Sequence, residues 1–329
     1  MTSMQSPSWQ IDLAVAFRRP EDLLQHLGLD AETLGYSEQG LAQFPLLVPR
    51  NFADRMQYGN PDDPLLRQVF PHRDESESPS HFRFDPLFEA NARIATGLLQ
   101  KYAGRVLMIT TGACAIHCRY CFRRHYPYQE DTLDRERQEQ ALDFIRIHPD
   151  IEEVILSGGD PLLLADQALS ALVERIAGIG HVQRLRLHSR VPVVLPSRIS
   201  TGLLDTLCGT RFKPVMIVHS NHANEINEEV ARALQQFSDR NIPLLNQSVL
   251  LKGVNDHADT LIELSRRLFD VNVSPYYLHL LDPVIGAAHY EVPETTAKAI
   301  HTEMRARLPG YLVPRLVREV PGATGKMWI

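Results

Sequence analysis

From Arg105 onward, short apolar runs alternate with amphipathic stretches, and this rhythm narrows the possible folds more than any other feature. The runs are Arg105–Thr110, Glu153–Asp160, Arg184–Ser189, Val215–Ser220, Pro243–Leu251 and Ser274–Leu280. Between them lie stretches of helical spacing, among them Arg135–Ile147, Asp166–Ala177, Asn224–Arg240 and Asp259–Phe269. Strand and helix in alternation build a parallel sheet from βα units. Six strands are too few for a closed eight-fold barrel. The spacing therefore predicts an α/β fold with an open or partial barrel.

Polar residues close these runs: Ser157-Gly158-Gly159-Asp160, His188-Ser189-Arg190, His219-Ser220-Asn221-His222 and Asn246-Gln247-Ser248. Reactive groups of β/α barrels gather at the C-terminal ends of the strands. One polar end would mark only a loop start. Several of them, rich in His, Asn, Asp and Ser, point to a shared active-site face.

Residues 1–95 read differently. They carry Pro-rich and acidic interruptions such as NPDDPLL and HRDESESPSHFRFDP, with apolar spacing for short helices near Pro20–Leu29, Asp30–Leu41 and Phe52–Met56. No regular strand alternation occurs there. The division expected is a mostly helical region over 1–95 and a barrel over 96–329. A net charge of −6 offers no basic excess for general nucleic-acid binding. No run approaches the roughly 20 apolar residues that cross a bilayer. The start, MTSMQSPSWQIDLAVAFRRP, lacks a basic leader before an apolar run and has Asp12 inside its only candidate, so neither a signal peptide nor a membrane is expected. The cytoplasm is the expected location.

Four cysteines in 329 residues are too few for a disulfide framework. Cys114, Cys118 and Cys121 fall in TTGACAIHCRYCFRRHYPY, with spacing C-x3-C-x2-C just after the first expected strand. Three thiolates can hold three irons of a cubane, leaving the fourth iron open to an external chelator. The amino and carboxylate end of S-adenosylmethionine (SAM) is such a chelator, and an electron from the cluster then breaks a carbon–sulfur bond to give a 5′-deoxyadenosyl radical. Two alternatives are a zinc site completed by His117 or His125 and a redox C-x2-C pair. The first lacks a second knuckle, and the second leaves Cys114 unexplained. Cys208 stands alone and reads as a small buried apolar residue. Arg123 and Arg124 follow the third cysteine, and a guanidinium fork there suits the SAM carboxylate. The small residues of Ser157-Gly158-Gly159-Asp160 let backbone approach a ligand closely, the SAM amino group being the candidate.

The C-x3-C-x2-C loop, the SGGDPL strand end and LNQSVLLKGVND together resemble the lysine 2,3-aminomutase family, over about residues 95–326. RNFADRMQYGNPDDPLLRQVFP, CRYCFRRHYPY and PYYLHLLDPVIGAAHY resemble the branch of that family tied to β-lysylation of elongation factor P. The resemblance implies a partial (β/α)6 TIM-like barrel of the radical SAM type, a [4Fe–4S] cluster, SAM and pyridoxal 5′-phosphate (PLP). It implies an isomerase that moves the 2-amino group of L-lysine to carbon 3. The product, (R)-β-lysine, would pass to a separate ligase that acts on elongation factor P, and a reducing electron donor would feed the cluster. A homo-oligomer stays open.

Residue by residue, EVPGATGKMWI puts the PLP-carrying lysine on Lys326, with Gly322 and Gly325 helping the turn approach the cofactor. Tyr102 matches the tyrosine beside PLP, and Lys101 stands where an arginine is frequent. Arg105 matches the arginine for the substrate carboxylate, and Arg123 the one for SAM. His219 and Gln247 match polar positions on the SAM side. Asp282 matches an acid for the distal ammonium, and Glu319 replaces a second aspartate there. His257 stands where some members carry a zinc-binding cysteine, so no structural zinc is expected.

Overall fold

The computed structural model describes residues 8–32, 34–131 and 134–329. The first seven residues, on which part of the leader reading falls, lie outside that set. The regular elements of the described N-terminal residues are short helices as far as Ala92, joined by turns and loops. Pro20–Leu27 forms a helix because Pro20 sits at its first turn with Glu21 and Asp22, and Leu23, Leu24 and Leu27 bury one face. Gly28, in the left-handed region at φ 64°, ends it. The helix expected over Asp30–Leu41 is not formed. Turns reach Gly35, whose φ of 63° breaks the helical path. A new helix, Glu38–Gln43, then starts at Ser37, whose Oγ accepts the Gly40 N–H at 2.9 Å. The third expected helix is found one turn early, at Arg50–Ala53.

Ten strands form one sheet among the described residues, paired in chain order. They are β1 (Arg93–Ala95), β2 (Leu98–Tyr102), β3 (Arg105–Thr111), β4 (Glu153–Gly158), β5 (Arg184–Ser189), β6 (Val215–His219), β7 (Leu244–Val249), β8 (Val273–His279), β9 (Arg315–Arg318) and β10 (Met327–Trp328). Strands β3 to β9 are parallel. β1 and β2 form an antiparallel hairpin whose second strand pairs antiparallel with β3, and β10 is antiparallel to β9. Since β1 and β10 remain the two edges, the barrel is open.

The six strands expected from sequence are β3 to β8, each followed by helix, which is the (β/α)6 arrangement. The crossover helices are Arg135–Ile147, Asp166–Ala177, Thr201–Cys208, Glu228–Asp239, Ala258–Asp270 and Glu294–Arg307. The seventh parallel strand, β9, escaped because RLVR is too short for a readable alternation. The last crossover helix escaped because it buries only Ala297, Ile300 and Met304. Strand β4 is buried almost throughout, as a central strand covered on both faces must be. One buried cluster joins Leu23, Phe52 and Leu65 of the N-terminal helices to Val154, Leu185 and Met216 of the barrel. No helix among the described residues is long and apolar enough to cross a membrane.

Candidate active site

The C-terminal ends of β3 to β8 open into a cavity of about 440 Å³. Tyr102, Arg105, Cys114, Cys118, Cys121, Arg123, Ser157 to Asp160, His219, Gln247, Asp282, Glu319 and Lys326 all line it, whereas Arg124 and Gly322 do not.

The cysteine loop leaves β3 and is moored from outside the barrel by the N-terminal region. His117 and Arg119 donate their backbone N–H groups to the carbonyls of Leu47 and Gln68. Arg119 and Arg124 are buried around the Glu75 carboxylate, at 2.5 and 2.7 Å. Burial alone would raise the Glu75 carboxyl, but the two guanidiniums hold it below its usual range. The two histidines of the zinc alternative contact backbone instead: His117 Nδ1 lies 2.7 Å from the Pro45 carbonyl and His125 Nε2 3.0 Å from that of Ile285. Among the described residues, no three His, Cys, Asp or Glu side chains are arranged around a single metal ion. A cubane makes no such demand, because each thiolate binds a different iron.

The β4 end closes on this loop rather than on open space. The Gly159 N–H bonds the Thr111 carbonyl at 2.7 Å and the Asp160 N–H bonds that of Ala113 at 2.8 Å. A Cβ on Gly159 would lie 2.2 Å from the Ala113 oxygen, and one on Gly158, at φ 121°, 2.6 Å from the Thr111 oxygen. The close approach read from the glycines is thus made to the loop backbone. Asp160 ties β4 to β5, accepting the Ser189 hydroxyl at 2.7 Å and the Arg190 N–H at 2.8 Å. Burial pushes its carboxyl up to about 6, with these donors opposing.

Arg123 is already engaged. Its Nε and Nη2 grip Glu89, each at 2.7 Å, and Nη1 reaches Ser157 Oγ at 3.2 Å. Lys101 joins the same carboxylate at 2.9 Å. Burial alone would raise Glu89, yet the two cations hold it at about 2. Ser157 is therefore the polar group that the Arg123 fork shares with the cavity.

At the other wall, Glu319 accepts the Tyr102 hydroxyl at 2.6 Å and forms an ion pair with Lys326. Lys101 stands 4.0 Å away. Burial would raise the Glu319 carboxyl; Lys326, Lys101 and Tyr102 keep it below its usual range. Asp282 is pushed up to about 7, by burial first and then by Glu319. Gly322 adopts φ 77°, as the turn before Lys326 requires, whereas Gly325 is in open space.

Sequence reasoning passed over the lining residues Arg186, Tyr277 and His279, and it noted His188 and Arg190 only as part of a polar strand end. The signal was available. Arg186, His188 and Arg190 are two apart along β5 and its end, and Tyr277 and His279 two apart on β8, so each set shares one face. His188, His219 and His279 are all held low by burial, His219 at about 4, and so are neutral imidazoles. Among the described residues, their Nε2 atoms have no hydrogen-bond partner, nor have Gln247 Nε2 and Arg105 Nε. Such a concentration of unmet polar atoms around one cavity fits a site that takes polar ligands.

The Radical SAM superfamily model matches residues 108–207, from β3 through the cysteine loop to the third crossover helix. The L-lysine 2,3-aminomutases of Escherichia coli K12 and Haemophilus influenzae are each 44% identical to this chain, over 99% and 98% of it and 96% and 95% of their own lengths. That of Clostridium subterminale is 35% identical over 97% of this chain and 76% of its own. The chain belongs to the lysine 2,3-aminomutase family. It is an isomerase of radical SAM type, and membership implies a [4Fe–4S] cluster and SAM. The thiols around the cavity and the unmet polar atoms suit both.

Proposed function

We propose that this chain converts L-lysine to (R)-β-lysine, with the cluster on Cys114, Cys118 and Cys121 and PLP on Lys326, and that the product serves modification of elongation factor P through a separate ligase, in the cytoplasm. The observation that carries the reading is that Lys326, more than two hundred residues after Cys121 in the sequence, lines the same cavity as the three cysteines. An isolated terminal lysine would be solvated; this one is 22% exposed and held by Glu319.

When bound, the cluster with SAM supplies a carbon-centred radical, and PLP supplies a conjugated carbonyl that carries the amino group. The residues of the chain bind and orient. Arg105, stacked on Tyr102 at 5.0 Å from the ring centre, offers a forked cation for the substrate carboxylate. Asp282 and Glu319 supply acids for the ε-ammonium, which selects a cationic side chain over an acidic one. Tyr102 holds Glu319 from the opposite oxygen to the one facing Lys326. Ser157 to Asp160, Arg123, His219 and Gln247 form the polar wall for SAM. The neutral histidines add no charge near a radical and can donate or accept one hydrogen bond each.

The test is anaerobic incubation of reduced, reconstituted protein with SAM, PLP and lysine, followed by chiral mass analysis. (R)-β-lysine formed without any protein acceptor is the expected result. Preference for arginine in a panel of free amino acids, or turnover only on a protein substrate, overturns it.

A further inference from the structure

We propose that Arg190, paired with Tyr120, donates to the Cys118 sulfur and so sets how easily the cluster is reduced. The inference rests on the reading of Cys118 as a cluster ligand. Arg190 Nη1 lies 2.6 Å from Cys118 Sγ, and its guanidinium carbon lies 5.7 Å from the Tyr120 ring centre.

The pair is held from behind by a polar network drawn from three parts of the chain. Arg190 Nη2 donates to Gln68 Oε1 at 2.7 Å and to Glu225 Oε2 at 3.1 Å. Asn221 Nδ2 donates to Gln68 Oε1 at 3.0 Å and to Tyr120 Oη at 2.7 Å. Tyr120 Oη, accepting from Asn221, in turn donates to Gln68 Oε1 at 3.5 Å, which closes the network around the Arg190 fork. Glu225 is fully buried and accepts the backbone N–H groups of Asn221 and His222 at 2.9 and 3.2 Å. The Arg190 backbone is pinned to Asp160 as well. Arg190 is only 7% exposed, so its guanidinium is desolvated and fixed at both ends. Such an arrangement is costly for a group that only fills space.

A donor aimed at a ligating sulfur withdraws electron density from it and stabilises the cluster with the added electron, which raises the reduction potential. A positive charge beside the sulfur works in the same direction. The pair therefore eases the one-electron reduction that precedes cleavage of SAM. It leaves the chemistry of the substrate end untouched, which makes Arg190 and Tyr120 positioning residues.

The experiment compares anaerobically reconstituted wild type, Arg190→Gln, Arg190→Lys and Tyr120→Phe. Iron and sulfide content come first. A potentiometric titration follows, read by electron paramagnetic resonance of the reduced cluster. Arg190→Gln at full iron content should move the midpoint to more negative potential, by about tenfold in the reduction equilibrium, or about 59 mV for one electron. Tyr120→Phe should move it less in the same direction, and Arg190→Lys, which keeps the charge but loses the fork, should fall between wild type and Arg190→Gln. Equal midpoints at full iron content overturn the proposal. Should Arg190→Gln fail to load iron, Arg190→Lys decides alone, and an unchanged midpoint there is equally fatal. A wild type that never forms a cluster defeats the ligand reading itself, a result visible in the iron assay before any potential is measured.

Discussion

The ammonium of Lys326 and the carboxylate of Glu319, seven residues apart, form an ion pair inside the cavity, and Tyr102 fastens the second oxygen of that carboxylate at 2.6 Å. Glu319 thus already holds an alkylammonium group of the kind a lysine substrate ends in. Lys326→Ala should lose the borohydride-reducible PLP band while keeping its iron. A band that survives in Lys326→Ala moves the cofactor lysine elsewhere.

Glu319→Gln keeps the shape of the side chain and the Tyr102 contact but removes the charge. Hydrogen bonds to charged groups contribute roughly 1.5–3 kcal/mol. We predict a rise of about tenfold or more in the KM for lysine, read from initial rates. An unchanged KM refutes contact between Glu319 and the substrate ammonium.

Asp282, at about 7 rather than the ordinary carboxyl range, titrates in the working range. Only its ionised form attracts the ammonium, so lysine affinity should fall as pH drops from 8 to 6, and Asp282→Asn should flatten that slope. The stability effect has the opposite sign. The folded chain binds this proton more tightly than the unfolded one, so Asp282 destabilises the cofactor-free fold as pH rises from about 4 through 7. Asp282→Asn should remove that loss, as melting at pH 5 and pH 8 would show. Parallel slopes for the two proteins count against the assignment.

Glu75 faces two buried arginines. Glu75→Gln leaves them without their counter-charge, a change that typically costs about 3–5 kcal/mol. Denaturant titration should register it, and reconstituted iron content should fall because Arg119 and Arg124 flank the cysteine loop.

Gly159→Ala places a Cβ 2.2 Å from the Ala113 oxygen, while Gly325→Ala meets nothing within 4 Å. The first should impair iron loading and the second should not. Equal iron content in both variants would contradict the packing described for the β4 end.

The cysteine spacing, the six βα units and the residues gathered at the mouth were legible because each depends on local pattern or on strand ends. Their partners were not. Glu89 meets Arg123 across 34 residues and Glu75 meets Arg119 across 44, and nothing in the spacing of either acid announces it. The glycines of β4 were read as sites of close approach to a ligand, whereas in the fold the atoms crowding them belong to Ala113 and Thr111. His279 stood in plain view, and reading alternate positions along β8 would have found it, whereas His188 was noted only as part of a polar strand end.

The moorings from Glu75 and Glu89 set a lower limit on any synthetic mimic of the iron site. A peptide copied from the segment around Cys114 to Cys121 would carry the three sulfurs, yet its three arginines would swing loose in water. A faithful maquette must import both acids from the first ninety residues, and with them the helices that aim them.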